Sequence, residues 1–150
     1  DHRCNGCGVT CVEGENCQQR YHECLALEFS NIGYGKVHHL TVPAFQLQHC
    51  QSLSLEGVLS FQKVLQSFLI DRKTPEQIRI ENKRSLDQTN RNWRFSGNTK
   101  IQLFSKEIWT STIFSVRMDN AEEYCDDITK WAETVLSDSS KHIEKWIKES

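Results

Sequence analysis

Seven cysteines in 150 residues constrain this chain more than any other feature. They stand at positions 4, 7, 11, 17, 24, 50 and 125, so four fall within the first 17 residues. An odd count excludes complete pairing within the chain. A disulfide framework spreads its cysteines over the loops it closes, whereas a metal knuckle gathers them. Clustering and odd count together point to a reduced, cytoplasmic protein with a thiolate metal site. Disulfide staples are not needed at this length, because a chain of this size buries roughly two-thirds of its unfolded surface. Cys24, Cys50 and Cys125 lie in partly apolar surroundings and read as small core residues.

The remaining composition narrows the class of protein further. Hydrophobic residues are 37% and charged residues 25% of the chain, which is the polar side of globular. Eighteen Lys and Arg against 20 Asp and Glu give a net charge of -2. That balance removes the electrostatic footprint of a nucleic-acid or anionic-membrane binder. No apolar run reaches the roughly 18 residues of a membrane span, and the first residues do not read as a secretory signal. The expected partner is a protein or a small molecule, and the expected organisation is one domain over residues 1–150.

Along the chain the pattern is mostly α, with about five helices and at most a short β element. Residues 1–17 form a cysteine-rich knuckle, with Gly6, Gly8 and Gly14 supplying turn chemistry. From about Glu15 to Phe29 a helix is expected, with Cys17, Tyr21, Cys24 and Glu28 on one stripe. Asn31-Ile32-Gly33-Tyr34-Gly35 should stop it, its glycines being free to adopt positive φ. Pro43 suggests a helix starting near Thr41, with a kinked helix from Val37 as the alternative. Val58, Phe61, Leu65, Phe68 and Leu69 mark the next helix. Thr74-Pro75-Glu76-Gln77 reads as a capping box opening a helix to about Leu86. Residues 87–118 are less regular, with loops at 88–92 and 96–98 and a short strand at 101–104. Asn120, with Glu123 three residues on, caps a C-terminal helix or helix pair over 120–149. A break between the pair would fall at Ser137-Asp138-Ser139-Ser140, where short polar side chains compete for the backbone.

Cys4 and Cys7 at C-x-x-C spacing, with Gly8 behind them, present two thiolates to one zinc ion. The redox reading of C-x-x-C needs a preceding strand and a helix opening at the motif, and neither fits a motif at the fourth residue. Cys17 at a helix start is the natural third ligand, with Cys11 its competitor. Six histidines can supply the fourth. His38 and His49 are eleven residues apart, about 20° on a continuous helix, so they share a face from which His39 points away. Both lie in an otherwise apolar segment, where an imidazole needs a partner.

The string Cys4-x-x-Cys7-Gly8, then Cys17, Arg20, Glu28-Phe29, Gly35-x-Val37-His38-x-Leu40-Thr41-Val42 and Gln48-His49, followed by Trp109, Thr112-Ile113 and Trp131-Ala132, resembles a bacterial family of small proteins of unknown function. The resemblance spans nearly the whole chain. It singles out His38 rather than His39, and has no counterpart for Cys11 or Cys24. It departs at Cys50, where the family usually has proline. It implies the metal ligand set Cys4, Cys7, Cys17, His38 and His49, and no activity.

Two functions are therefore expected. The first is a binding or regulatory module whose knuckle is pinned to the histidine segment by a structural Zn2+. The second is a metal-dependent, hydrolase-like enzyme with an open site at His38 and His49 and Glu28 nearby. Arg20, Arg79, Arg94 and Arg117 are more economically read as surface or ion-paired groups than as an anion site.

Overall fold

The computed structural model describes residues 2–4, 6–11, 14–50, 53–88, 104 and 108–149. Strands β1 (His2–Arg3) and β2 (Thr10–Cys11) form an antiparallel hairpin, with His2 opposite Cys11 and Arg3 opposite Thr10. Helices α1 (Cys17–Ser30), α2 (Ile32–Gly35), α3 (His38–Gln48), α4 (Leu55–Leu69), α5 (Pro75–Gln88) and α6 (Ala121–Glu149) follow. A 3-10 turn at Ile113–Ser115 precedes α6. The fold is mostly α, as the periodicity predicts. Of the expected strand at 101–104 only Phe104 is described, and the loop residues 89–92 and 96–98 lie outside the described residues.

Local side-chain chemistry sets the helix ends. Asn16 opens α1 by accepting the Gln19 N–H at 2.8 Å, and Ser54 opens α4 by accepting that of Gly57 at 3.1 Å. Thr74 and Gln77 exchange both bonds of a capping box at the start of α5. Asn120 accepts the Glu123 N–H at 2.8 Å to open α6. The glycine stop after α1 is corrected, because neither Gly33 nor Gly35 has positive φ. Asn31 does that work instead: its N–H closes α1 on the Leu27 carbonyl, and its side chain caps α2 through Gly33 N–H. Gly35 serves a close approach, since a Cβ there would stand 2.8 Å from the Glu28 carbonyl oxygen.

Two open alternatives are decided. Helix α3 begins at His38, not near Thr41, and carries Pro43 in its interior. Proline removes one ladder bond there. The helix opens on the Val37 carbonyl, which accepts the N–H groups of Leu40 and Thr41 at 2.9 and 3.1 Å. Burial of Leu40, Ala44 and Leu47 then holds the segment helical. Helix α6 runs unbroken through Ser137-Asp138-Ser139-Ser140. Asp138 accepts from the backbone and hydroxyl of Thr110, and Ser140 accepts from Gln62, so tertiary partners absorb the side chains that would compete for the helix backbone.

Helix α6 is the spine of the core, and α2, α3 and α4 pack on it. Tyr124, Ile128, Trp131 and Val135 form its fully buried stripe. Trp131 donates its indole N–H to the Gln48 amide oxygen at 3.1 Å, and Gln48 donates to the Ser111 carbonyl at 2.6 Å. A buried polar chain of this kind sets one rotation of α3 on α6.

Candidate metal centre

The knuckle is built by backbone bonds that bring sulfur atoms to one side. Cys4 N–H donates to Val9 carbonyl at 2.9 Å, and Gly8 N–H returns to Cys4 carbonyl at 3.1 Å. Gly8 takes φ +77°, a conformation that glycine adopts without penalty. Gly6 N–H points at the Cys4 Sγ at 3.4 Å, the polar approach to sulfur that a thiolate knuckle needs. Trp109 donates its indole N–H to the Gly6 carbonyl at 2.9 Å and ties the loop to the body.

Helices α1 and α3 deliver the other two donors. They run antiparallel and meet at successive levels. Cys17 faces His49, Tyr21 stacks on Phe45 with centroids 3.9 Å apart, and Glu28 meets Thr41 and His38. The result is a group of four donors, Cys4, Cys7, Cys17 and His49, whose ligand atoms all lie within 4.8 Å of one another. The Cys7 and Cys17 sulfurs are 3.5 Å apart. A tetrahedral zinc with sulfur bonds of about 2.3 Å sets its ligands about 3.8 Å apart, so the group needs only small adjustment to close on an ion.

His49 is prepared as a ligand. Its Nδ1 donates to the Phe45 carbonyl at 3.0 Å and its ring stacks on Phe45, which fixes tautomer and orientation. Its Nε2 is buried and has no hydrogen-bond partner. A buried nitrogen without a hydrogen-bond partner costs about 1–3 kcal/mol, so this atom is ready to exchange a proton for a metal ion. The electrostatics agree. Bonds from Cys17 and Cys7 hold the Cys4 thiol well below the usual thiol range, while Cys17, on the donating side, is pushed up. Burial disfavours a charged His49, yet the nearby Cys4 and Cys7 sulfurs outweigh it and push its pKa up to about 9. Three gathered sulfurs and one imidazole are the donor chemistry of a soft-to-borderline cation.

Not every expected donor joins the group. Cys11 is buried on β2, with burial raising its pKa, and lies outside the four. His38 also lies outside, donating from Nδ1 to Glu28 Oε1 at 2.7 Å. The shared face of His38 and His49 is real but long, and one end of it serves a carboxylate. His39 turns away onto the edge of Phe68. The Glu28 side chain is wholly buried and, among the described residues, pairs with no arginine; it accepts from Thr41 Oγ1 at 2.6 Å and the Tyr124 hydroxyl as well as from His38. Arg20 binds the Val116 carbonyl and Arg117 the Asp127 carboxylate, as surface and structural groups do. Cys24 is fully buried, Cys50 is raised to about 11 by burial, and Cys125 donates to the Gly33 carbonyl.

Sequence reading found the stripe 17, 21, 24, 28 but missed its partner stripe 38, 41, 45, 49, which has the same three- and four-residue steps. Two matched stripes on helices joined by a short turn are a signal for face-to-face packing.

Residues 2–140 match the family of unknown function DUF5946. The chain belongs to this family. The DUF5946 match takes in all four donors and most of α6. No curated protein and no solved structure matches the chain.

Proposed function

We propose that the protein is a zinc-binding helical module, in which one structural zinc held by Cys4, Cys7, Cys17 and His49 clamps the N-terminal hairpin onto α1 and α3. The observation that carries this reading is the buried, unpartnered Nε2 of His49 among three gathered sulfurs. Four protein donors close a tetrahedral site, whereas a catalytic zinc keeps a position open. The engagement of His38 and Glu28 with each other favours the closed form over a hydrolase-like site. The clamp has energetic work to do, since residues 2–4 and 6–11 contribute few apolar side chains to the core. Structural zinc supplies on the order of 10–16 kcal/mol of apparent binding free energy, comparable to the stability of a whole domain.

The module acts in a reducing cytoplasm on a protein or small-molecule partner, without nucleic acid or membrane; seven free cysteines and a net charge of -2 support that setting. Elemental analysis of protein purified without added metal tests the proposal. One zinc per chain is expected. Disulfides among Cys4, Cys7 and Cys17 with no bound metal would overturn it.

A further inference from the structure

Glu28 is a buried carboxylate that the metal centre does not use. Its side chain has no exposed surface, and three donors converge on it: His38 Nδ1 and Thr41 Oγ1 from α3, and the Tyr124 hydroxyl from α6. Burying a carboxylate is costly unless its lone pairs are filled, and here they are. Glutamine would occupy the same volume without charge. Its single oxygen cannot accept from three donors, however, and its NH2 would face donors.

Helix α3 has weak local definition of its own. Val37 supplies no side-chain cap, and Pro43 interrupts the ladder. Its body packs on α4 and α6, and the contacts that join it to α1 are few. These are the Glu28 bonds at one end, the Tyr21–Phe45 stack in the middle and His49 opposite Cys17 at the other. A slip of one residue would translate α3 by 1.5 Å and rotate its faces by about 100°. A rotation of that size would carry His49 away from the sulfurs.

We infer that Glu28 is a positioning residue for the metal centre: by accepting from Thr41 and His38 it joins α3 to α1 at the end away from the sulfurs, and so helps set where His49 meets them. The inference rests on the metal reading above. A cobalt(II) titration of the metal-free full chain tests both. Wild type should take one cobalt with the absorption bands of three thiolates and an imidazole; failure to do so overturns the centre itself and this role with it. Glu28→Gln should fold, by far-UV circular dichroism, yet bind cobalt and zinc about tenfold more weakly or worse, with displaced ligand-field bands. Thr41→Val should weaken binding, and Thr41→Ser, which keeps the hydroxyl, should restore it. Should Glu28→Gln not fold, the Thr41 pair decides. Affinity and spectra equal to wild type in Glu28→Gln, or in Thr41→Val should Glu28→Gln not fold, would overturn the positioning role even if the melting temperature falls.

Discussion

At the scale of single residues, two imidazoles, His39 inside α3 and His49 at its C-cap, illustrate how partners set roles. His39 is half-buried against the Phe68 edge, and burial lowers its pKa. His49 has one nitrogen fixed by a carbonyl and the other aimed at sulfur. His49→Ala should therefore lose bound zinc, while His39→Ala should keep a full complement, as measured by zinc per chain after gel filtration. The reverse pattern would mean that the ligand nitrogen comes from elsewhere on α3. The residue types were legible beforehand: C-x-x-C-G and a helix-start cysteine advertise a thiolate site. Which histidine completes it was not legible, because His38 and His49 share a face, and only the buried Glu28 draws one of them away.

At the scale of elements, capping chemistry was the most readable feature. The Thr74–Gln77 box and the Asn120 cap form where the sequence places them, because the bonds that make them span only three residues. Asn16 matters most, since it opens the helix that begins with Cys17. Asn16→Ala should cost about 1 kcal/mol and Asn16→Gly only a few tenths. Urea denaturation would show this as a lower midpoint at unchanged slope for the alanine variant. Equal midpoints for alanine and wild type would show that the knuckle, and not the cap, nucleates α1. Helix α3 was the least readable element: its start ahead of Pro43 follows from burial against α4 and α6, which no local rule anticipates.

Across the whole molecule, the hairpin reaches the core through its cysteines and Val9. It is tied to the body by the Trp109 bond to Gly6 and by Cys4 and Cys7, which meet Cys17 and His49. Cys7→Ser should therefore speed hydrogen exchange at the amides of Cys4 and Gly8, and lower thermal stability, while the α6 core stays protected. Cys125→Ser should do far less, because a serine hydroxyl can keep the bond to the Gly33 carbonyl. Unchanged protection of Cys4 and Gly8 in Cys7→Ser would argue that backbone bonds alone hold the hairpin. No helix among the described residues is long and apolar enough to cross a membrane.

Sequence alone determined the class of this protein, the caps at Thr74 and Asn120 and the thiolate half of its candidate site. Each of these is carried by local spacing: three residues for a cap, three or four for a helical stripe, two intervening residues for the knuckle. The unbroken course of α6, the start of α3 and the choice of His49 over His38 and Cys11 were decided only in the tertiary structure. All three depend on partners distant in the chain: Thr110 and Gln62 for α6, Leu65 and Trp131 in the core against α3, and Tyr124 with Glu28 for His38. A side chain's need for a partner can be read from its chemistry; which partner reaches it first depends on how the helices pack.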